Sequence, residues 1–459
     1  MSRRYESWGR FPKVNQSAEA MYWRGESLPQ PPPGKTLLPY GLGRSYGDSC
    51  LNSDNVIVTT RGLNRFIRFD RENGVLRCEA GVSLAEVLEL IVPHGWFLPV
   101  TPGTKFVTVG GAVANDVHGK NHHVAGTFGN WVNKFELLFS NGSRILCSPT
   151  ANSDIFRATI GGLGLTGLIT WVEFRLIRME SDRIAIETQP FHSLSEFLDL
   201  STAHSRDFPY LVAWIDSLSW KNGQGRGVFM RGKHAPGGAD APKNPGRPSK
   251  FSVPFNFPSF TMSRGPVSIL NRAHYLSSLV GSRSSVSHYE PFFYPLDSIG
   301  GWNRVFGKRG FVQWQGLVPF SGTRDVLPEL LRNMAYSSVG SFVSVMKVMG
   351  DIPSLGKLSF SRPGVTLALD FPACDAALRL LDRLNCIVAD AGGAVYPAKD
   401  ARMSAQQFDR FYPQWREFEC YIDPNFSSSL WRRVTALPQR KTKSSIETNA
   451  AQLLHQSVS

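Results

Sequence analysis

Apolar residues recur at strand and helix periods along the first 180 positions. The segment "NVIVTT" predicts a strand, and "FIRFDRENGVLRCEAG" predicts two strands that turn at Asn73 and Gly74. "SLAEVLELIVPHG" has helical spacing, and Ser83 with Glu86 forms a capping box at its start. A second strand pair lies in "KFELLFSNGSRILCSP", and "LITWVEFRLIRM" predicts a long strand. The pattern therefore predicts an α+β region of short strands.

The pattern changes near residue 183, where glycines become fewer. Strands and helices continue through "SDRIAIETQPFHSLSEFLDL" and "YLVAWIDSLSW", and "DAALRLLDRLNCIVADAGG" predicts a helix that ends at Gly392. A chain of 459 residues is also too long for one ordinary core. We therefore predict two domains, over residues 1–182 and 183–393, followed by a C-terminal segment over 394–459.

Two stretches lack periodicity. "HAPGGADAPKNPGRPSK", at 234–250, is rich in Pro, Gly and Lys, which indicates a mobile surface loop or an extended arm. A lid over a substrate channel is the functional alternative for this stretch. The basic stretch "WRRVTALPQRKTKSS", near the C-terminus, is expected to be a solvated and frayed end.

The amino-acid composition restricts the possible binding partners of the protein, but it says little about the fold. The formal net charge of +13 favours phosphates, nucleic acid or an anionic membrane surface, although an ordinary basic surface would give the same number. Six cysteines without a C-x-x-C pair are typical of free buried thiols in a reducing compartment. No apolar run follows the basic N-terminus, and none reaches the ~18 residues of a spanning helix. We expect a cytoplasmic protein, either soluble or bound peripherally to the inner face of the cell membrane.

Four short motifs each suggest a different enzyme, and the surrounding sequence argues against all four. "GRSYG" matches the G-x-S-x-G nucleophile elbow, but turn-like residues follow Ser45 where a helix is required. The G-x-G-x-x-G at 162–167 lies in helix–loop–strand order, the reverse of a dinucleotide fingerprint. "HGKN" lacks the first glycine and the Ser or Thr of a P-loop. His118 and His122 are four residues apart, but Gly119 disfavours a helical metal site, so we expect no bound metal.

What remains is a set of separate glycine-rich loops in one α+β region. They are "GLGRSYGD", "PGT", "TVGGAVANDVHGKNHH", "TFGN" and "TIGGLGLTG". Backbone N–H groups without side chains in the way can close on a diphosphate from several directions. The pattern therefore predicts a long phosphate-containing cofactor that is held across several loops.

These loops, in this order, and the later "YPAKDAR" resemble the FAD-binding oxidoreductases of the vanillyl-alcohol-oxidase (PCMH-type) fold. Within that fold, "DVHGKNHH" followed by "FGN", and the pattern Y-x-A-K-D-x-R, are similar to the family of decaprenylphosphoryl-β-D-ribose oxidase, the flavin subunit of a ribose 2-epimerase. The resemblance extends from about residue 35 to 433. It implies a two-domain α+β fold with an FAD-binding domain at 1–182 and an antiparallel-sheet substrate domain at 183–393. The segment 394–459 would return to the FAD domain.

The resemblance implies FAD contacts in several parts of the chain. Asn115 and His118 would pass along the isoalloxazine ring, Ile169 would meet the adenine side, and Tyr396 would return to the flavin. The full implied set is Gly41, Gly43, Arg44, Ser45, Tyr46, Gly47, Gly103, Thr108, Gly110, Gly111, Asn115, His118, Ile169 and Tyr396.

FAD attachment follows from the same comparison of residues. Relatives that tether FAD covalently use a His in the first loop, a Cys in the second, or both. Here the first-loop position is Arg44, and no cysteine lies between Cys78 and Cys147. We therefore expect FAD to be bound without a covalent link.

The implied reaction oxidises a secondary alcohol, with hydride leaving for the flavin and a base taking the hydroxyl proton. A fixed cation beside the reduced flavin lowers the barrier electrostatically. The resemblance assigns this role to Lys399, close to Tyr46. A salt bridge from Lys399 to Asp400 or to another surface acid is the structural alternative. His118 is expected to face the substrate as proton acceptor or hydrogen-bond partner, or to be a satisfied structural histidine.

Five further residues are candidates for substrate binding. Gln313 and Gln315 alternate in "FVQWQG", so on a strand they share one face where amides could bind sugar hydroxyls. Lys120 fits a substrate phosphate or a loop ion pair, and Lys347 fits a substrate phosphate or a strand edge. Trp214 would stack on the sugar or fill the core.

Four positions in the predicted substrate domain depart from the family. The chain has Ala368 where members carry Cys, Ser344 and Thr366 where they carry Asn, and Phe293 where they carry Tyr. These departures leave FAD binding untouched but put the sugar and its carrier in question. Covalent inhibitors that need the cysteine should not react.

The resemblance implies oxidation of the 2′-hydroxyl of a polyprenylphosphoryl pentose, the first half of a 2′-epimerisation in cell-wall arabinan synthesis, with an NAD(P)H-dependent reductase as partner. The alternative is an FAD-dependent oxidase or dehydrogenase of a soluble sugar, alditol or nucleoside. Burial of a lipid chain adds roughly 0.8 kcal/mol per CH₂, and a basic residue near anionic lipid about 1 kcal/mol. The charge of +13 and the Lys-rich 234–250 stretch therefore favour the lipid-linked sugar and a peripheral membrane contact.

A third hypothesis, from another class, is a non-catalytic nucleic-acid binder. The basic residues are not interleaved with aromatic residues in any recognised module. We therefore expect no nucleic-acid partner.

Overall fold

Four β-sheets form the framework of the computed structural model, which describes residues 5–237, 252–280 and 283–436. The predicted stretch at 234–250 lies largely outside these ranges. The strands, in chain order, are β1 (Ser17–Ala20), β2 (Leu37–Tyr40), β3 (Val56–Thr59), β4 (Phe66–Asp70), β5 (Val75–Glu79), β6 (Trp96–Phe97), β7 (Val132–Leu138), β8 (Arg144–Cys147), β9 (Leu168–Arg175), β10 (Ile177–Arg178), β11 (Arg183–Ser193), β12 (Tyr210–Ile215), β13 (Gln224–His234), β14 (Ser284–His288), β15 (Phe311–Val318), β16 (Ser344–Met349), β17 (Gly364–Pro372) and β18 (Ala394–Val395).

Helices connect and cover these sheets. In the described ranges they are α1 (Leu84–Ile91), α2 (Val109–Ala114), α3 (His122–Ala125), α4 (Ser153–Thr159), α5 (Leu194–His204), α6 (Arg264–Val280), α7 (Tyr289–Phe293), α8 (Thr323–Ala335), α9 (Asp375–Asp390), α10 (Ala405–Phe411), α11 (Trp415–Glu419) and α12 (Ser429–Thr435). Short 3₁₀ turns include Asp48–Cys50 and Pro397–Lys399. None of these helices has the length and apolar content needed to cross a membrane.

The chain before β11 forms three of the sheets. Strands β1, β3 and β2 make a parallel sheet, and β4, β5, β9, β7 and β8 make an antiparallel sheet in that order. The predicted hairpin and the predicted helix are confirmed as β4–β5 and α1. The Ser83 hydroxyl accepts a hydrogen bond from the Glu86 amide at 3.2 Å, and the Glu86 carboxylate accepts one from the Ser83 amide at 2.7 Å.

The chain from Arg183 onward forms an eight-stranded antiparallel sheet in the order β14-β11-β13-β12-β16-β17-β15-β18. Successive side chains of a strand point to opposite faces. On β15, Val312 and Trp314 are buried in the apolar core that includes α8 and α9, where the Trp314 indole donates to Asn385 at 2.7 Å. Gln313 and Gln315 therefore point to the other face, as the alternation predicted. The helices and the large antiparallel sheet confirm the predicted α+β class.

The C-terminal segment packs against the first loop of the chain. The expectation of a frayed end is wrong for residues 431–435, because they belong to α12 and Trp431 is buried there. Residues 437–445 of that stretch lie outside the described ranges. Arg433 on the same helix pairs with Asp48 at 2.7 Å and with Asp400 at 2.8 Å. Both carboxylates are nearly inaccessible, so the guanidinium stabilises two buried groups that would otherwise have no ion-pair partner in the described chain.

The six cysteines form no disulfide. Cys78 and Cys147 are buried as expected, and Cys50 and Cys374 are partly buried. The expectation of burial is wrong for two of them, since Cys386 on α9 and Cys420 beyond α11 are exposed on helical surfaces.

Removing the Arg433 charge tests the packing of the C-terminal segment. We expect R433M to lower the free energy of unfolding by about 3–5 kcal/mol, because two buried carboxylates lose their partner. The urea midpoint of the cofactor-loaded protein, followed by tryptophan fluorescence, measures this change. The control is R410M, whose partner Asp390 is exposed, and which should cost about 0–1 kcal/mol. Equal midpoints for the two variants would contradict the assignment.

Candidate active site

A cavity of about 550 Å³ lies between the glycine-rich loops and the face of the eight-stranded sheet that carries Gln313 and Gln315. Its volume is within the usual range for a small-molecule or cofactor site. It brings together every predicted site residue except Gly47. The predicted residues that line it are Gly41, Gly43, Arg44, Ser45, Tyr46, Gly103, Thr108, Gly110, Gly111, Asn115, His118, Lys120, Ile169, Trp214, Gln313, Gln315, Lys347, Tyr396 and Lys399.

Gly47 does not line the cavity but lies beside it, against the chain at Asp400. A Cβ atom at this position would lie 1.7 Å from the carbonyl oxygen of Asp400, so only glycine fits there. One residue earlier, the Tyr46 amide donates to the Ala398 carbonyl at 2.8 Å. The first glycine loop is therefore fixed directly against the segment that carries Lys399.

The first loop offers unpaired backbone donors to the cavity. Gly43 has φ +62°, a conformation that glycine adopts without strain. The amides of Leu42, Gly43 and Arg44 make no hydrogen bond within the described part of the chain. The same holds for Gly103 and Thr104 in the second loop. These five amides are available to an anionic ligand.

Two glycines of the third loop do not contribute amides in the predicted way. The Gly110 amide donates to the Ala80 carbonyl at 2.8 Å, and the Gly111 amide donates to the Thr108 hydroxyl at 3.1 Å. A Cβ atom at Gly110 would lie 2.9 Å from that of Ala80. The glycines thus allow α2 to pack closely on the chain beside it, and their amides are not available to a diphosphate.

Three buried polar atoms that belong to cavity-lining residues have no hydrogen-bond partner among the described residues: Arg44 Nε, Ser49 Oγ and His118 Nδ1. Buried polar atoms are almost always paired in a complete structure. The Arg44 guanidinium also lies 4.0 Å from the centre of the Trp8 ring. Burial lowers the pKa of Arg44, and the nearby Asp297 opposes that effect. The unpaired atoms indicate that a polar ligand completes this cavity.

Lys399 is the end of a hydrogen-bonded chain of three residues. Its ammonium group donates to Gln313 Oε1, and Gln313 Nε2 donates to the buried carboxylate of Asp370 on β17. The ammonium group lies 4.1 Å from the centre of the Tyr46 ring. Desolvation lowers the pKa of Lys399 to about 8, and the charge of Asp370 opposes this effect. The alternative of a salt bridge is not formed: Lys399 has no Asp or Glu oxygen within 4 Å in the described chain, and Asp400 pairs with Arg433.

The proton on His118 is placed by its neighbours. The Thr366 hydroxyl donates its hydrogen to the Gly316 carbonyl at 3.0 Å, so it must accept the 3.1 Å hydrogen bond from Gln315 Nε2. The same amide nitrogen lies 2.9 Å from His118 Nε2, which is therefore an acceptor. Burial, followed by the charge of Lys347, lowers the pKa of His118 well below its usual value. The ring is neutral, and its proton is on the unpaired Nδ1.

Two lysines line the cavity without a carboxylate partner. Neither Lys120 nor Lys347 has an Asp or Glu oxygen within 4 Å in the described chain. Lys120 donates to the Phe292 carbonyl, and Lys347 donates to the Gly119 carbonyl at 3.4 Å. Desolvation lowers the pKa of each lysine to about 7. The charge of Lys347 lowers the pKa of Lys120 further, and the charge of Lys399 lowers that of Lys347 further. The pair forms an uncompensated positive region.

Several residues of the site were missed from the sequence. Asp370 stands alone among apolar residues in "LALDFP", the same signal that identified Lys347 in its strand. Ser49 and Asp297 carried no pattern that separates them from ordinary loop residues. His274, on α6, also lines the cavity, with its ring 4.5 Å from that of Trp214.

Comparison with known proteins agrees with this geometry. A family model described as "FAD binding domain" matches residues 33–148. Decaprenylphosphoryl-beta-D-ribose oxidase of Mycolicibacterium smegmatis is 34% identical over 418 residues, which cover 88% of this chain and 90% of that protein. The chain belongs to the decaprenylphosphoryl-β-D-ribose oxidase family of FAD-dependent oxidoreductases.

Two other relatives show how far the similarity extends. An uncharacterized protein in the mprA 5′ region of Streptomyces coelicolor is 31% identical over 373 residues, covering 77% of this chain and all of that protein. Delta(24)-sterol reductase of Mus musculus is 29% identical over 144 residues, covering 31% of this chain and 28% of that protein. The full-length similarity is therefore to the decaprenylphosphoryl-β-D-ribose oxidase family.

FAD is the cofactor of this oxidoreductase, and the cavity fits it. The unpaired amides of residues 42–44 and 103–104 are suited to a diphosphate. Arg44 Nε and His118 Nδ1 offer further donors. These groups come from separate loops, as the sequence pattern predicted.

Acid precipitation tests the prediction that FAD is held without a covalent bond. Cys50 lines the cavity, but burial raises the pKa of its thiol to about 12, so the nucleophilic thiolate is absent at neutral pH. We expect a colourless pellet and a yellow supernatant from the FAD-loaded protein. Flavin fluorescence that stays with the chain on a denaturing gel would contradict the prediction.

Proposed function

We propose that the protein oxidises the 2′-hydroxyl of a polyprenylphosphoryl pentose to the keto sugar, the first half of a 2′-epimerisation in cell-wall arabinan precursor synthesis. The printed name of the M. smegmatis relative specifies a decaprenylphosphoryl ribose as its substrate. We infer further that an NAD(P)H-dependent reductase completes the epimerisation and that the enzyme contacts the membrane peripherally.

The observation that carries this proposal is the unpaired lysine pair, Lys120 and Lys347. Desolvation lowers the pKa of both ammonium groups, the charge of Lys347 adds to this effect on Lys120, and a bound anion would oppose it. A substrate phosphate is such an anion, and a neutral polyol is not. Trp214, Gln313 and Gln315 line the same cavity and would contact the sugar.

FAD, when bound, supplies the acceptor for the hydride of the carbinol carbon. Lys399 would supply fixed positive charge where negative charge develops, and the Gln313–Asp370 pair would hold that lysine in position. The ring of Tyr46, which the ammonium group of Lys399 contacts, would limit the movement of that group.

His118 is best suited to donate a hydrogen bond. Its Nε2 already accepts one from Gln315, and Nδ1–H is unpaired. Of the two substrate-side roles considered from the sequence, the hydrogen-bond partner therefore fits this geometry better than the proton acceptor.

Oxidation of a soluble sugar, alditol or nucleoside is the second candidate, because two of the four family departures line the cavity. Phe293 and Ala368 line the cavity, and Thr366 orients Gln315. Ser344 is buried on β16, where its hydroxyl donates to the Ser341 carbonyl at 3.1 Å. Phe293 and Ala368 are less polar than the family residues, so they would alter the contacts with the sugar.

Anaerobic bleaching of the flavin separates the two candidates. We expect a polyprenylphosphoryl pentose to bleach the visible absorption band of the flavin, and free pentoses, alditols and nucleosides to leave it unchanged. The physical reason is the lysine pair, which stabilises only a phosphorylated substrate. Bleaching by a free polyol at low concentration, without bleaching by the lipid phosphate, would refute the proposal.

A variant of the lysine pair provides the control for this experiment. K347M should raise KM for the phosphorylated substrate about 10- to 100-fold, the loss expected for a hydrogen bond to a charged group, with a smaller change in kcat. If K347M instead lowers kcat with KM unchanged, the lysine does not bind the phosphate.

The pH dependence of kcat/KM tests the role of Lys399. Activity should fall as pH rises through the Lys399 pKa of about 8, because the cation is lost. D370N should move this fall to lower pH, since the carboxylate is the charge that opposes desolvation. K399R should move it to higher pH, because arginine stays protonated. Identical alkaline limbs in all three proteins would exclude Lys399 as the titrating cation.

A further inference from the structure

Helix α6, Arg264–Val280, carries an apolar stripe on the side that faces away from the protein. Ile269, Ala273, Leu276 and Val280 are spaced by four, three and four residues, so they lie along one face of the helix. Ile269 is 72% exposed, Leu276 49% and Val280 90%. A surface helix normally places such a stripe towards the core.

The core-facing side of α6 is a separate surface. Val267, Asn271 and Tyr275 are buried, and α6 packs there on β11 and β13. Asn271 donates to the buried Asp216 at 2.9 Å, which fixes the rotation of the helix. The outward stripe is therefore a second apolar face of α6, distinct from the face that packs on the core. The exposed Phe260 precedes the helix and extends the same kind of surface.

The charged residues of α6 and its flanks are all basic. From Ser252 to Tyr289 the sequence contains Arg264, Arg272 and Arg283 and no Asp or Glu. Arg272 lies on α6 beside the stripe, and Arg264 and Arg283 lie at its two ends. An exposed apolar stripe on a helix whose own charged residues are arginines is typical of a helix that lies in the interface of an anionic bilayer.

The same helix also lines the active-site cavity. His274 is next to Ala273 of the stripe, and its ring lies 4.5 Å from Trp214, a proposed sugar contact. A bilayer on the outer side of α6 would therefore lie one helix away from the bound sugar. That arrangement suits a substrate whose head group is polar and whose tail is a lipid.

We propose that α6 is a membrane-docking helix, whose stripe inserts among anionic lipids and places the cavity next to the bilayer. A second copy of the chain is a poorer occupant, because pairing two such helices would oppose Arg264, Arg272 and Arg283 with like charges. This inference deepens the membrane contact proposed above by naming its surface. The connection to the substrate tail rests on the proposed substrate, whereas docking to lipid rests on the stripe and its arginines.

Co-sedimentation of the FAD-loaded full chain with vesicles tests docking. The vesicles contain phosphatidylcholine alone or with about a third phosphatidylglycerol, and no polyprenyl lipid. We expect binding to the anionic vesicles, lowered at least about tenfold in I269E/L276E and about fivefold in R272Q. The matched control is L146E, at an exposed leucine on β8, which should bind like the wild type. Flavin content confirms that each variant is folded.

The results of this experiment distinguish a lipid bilayer from a second copy of the chain as the partner of the stripe. Equal binding of I269E/L276E and wild type, or no binding to anionic vesicles at low salt, would overturn the proposal. A mass that doubles with concentration in the absence of vesicles, and that I269E/L276E returns to the monomer, would assign the stripe to a second copy instead. Vesicle binding without oxidation of any lipid-linked sugar would leave docking in place and reject only the proposed substrate.

Discussion

The active site depends on one close contact, between the first glycine loop and the segment that carries Lys399. Gly47 lies against the Asp400 carbonyl with no room for a side chain, and the Tyr46 amide donates to Ala398. Arg433 fastens the two segments by pairing with Asp48 and Asp400. The loop amides and the lysine come from distant parts of the chain, and this contact places them in one cavity.

Desolvation governs the chemistry of the cavity. Lys120, Lys347 and Lys399 line its wall, and burial lowers the pKa of each towards neutrality. Only Lys399 is linked to a buried carboxylate, Asp370, whose own pKa burial raises to about 7. The three lysines of the site therefore differ in whether a buried carboxylate of the described chain is linked to them. One is held by the protein, and two are left for an anionic ligand.

The sequence predicted local structure well and distant contacts poorly. The capping box at Ser83 and the alternation of Gln313 and Gln315 report neighbours within one element, so their structural consequences were accessible. The Gln313–Asp370 link and the Arg433 pairs join residues far apart in the chain, and no periodicity reports them. Glycine spacing identified the loops, but it could not show that the Gly110 amide is already used by Ala80.

The central claim is that separate loops and the Lys399 segment together hold FAD. An electron-density map of the FAD-loaded protein tests it most directly. The account predicts the diphosphate within hydrogen-bond distance of the Leu42, Gly43 and Arg44 amides, and the flavin beside Lys399. Density for FAD elsewhere, with these amides unpaired and Lys399 facing only protein, would contradict it.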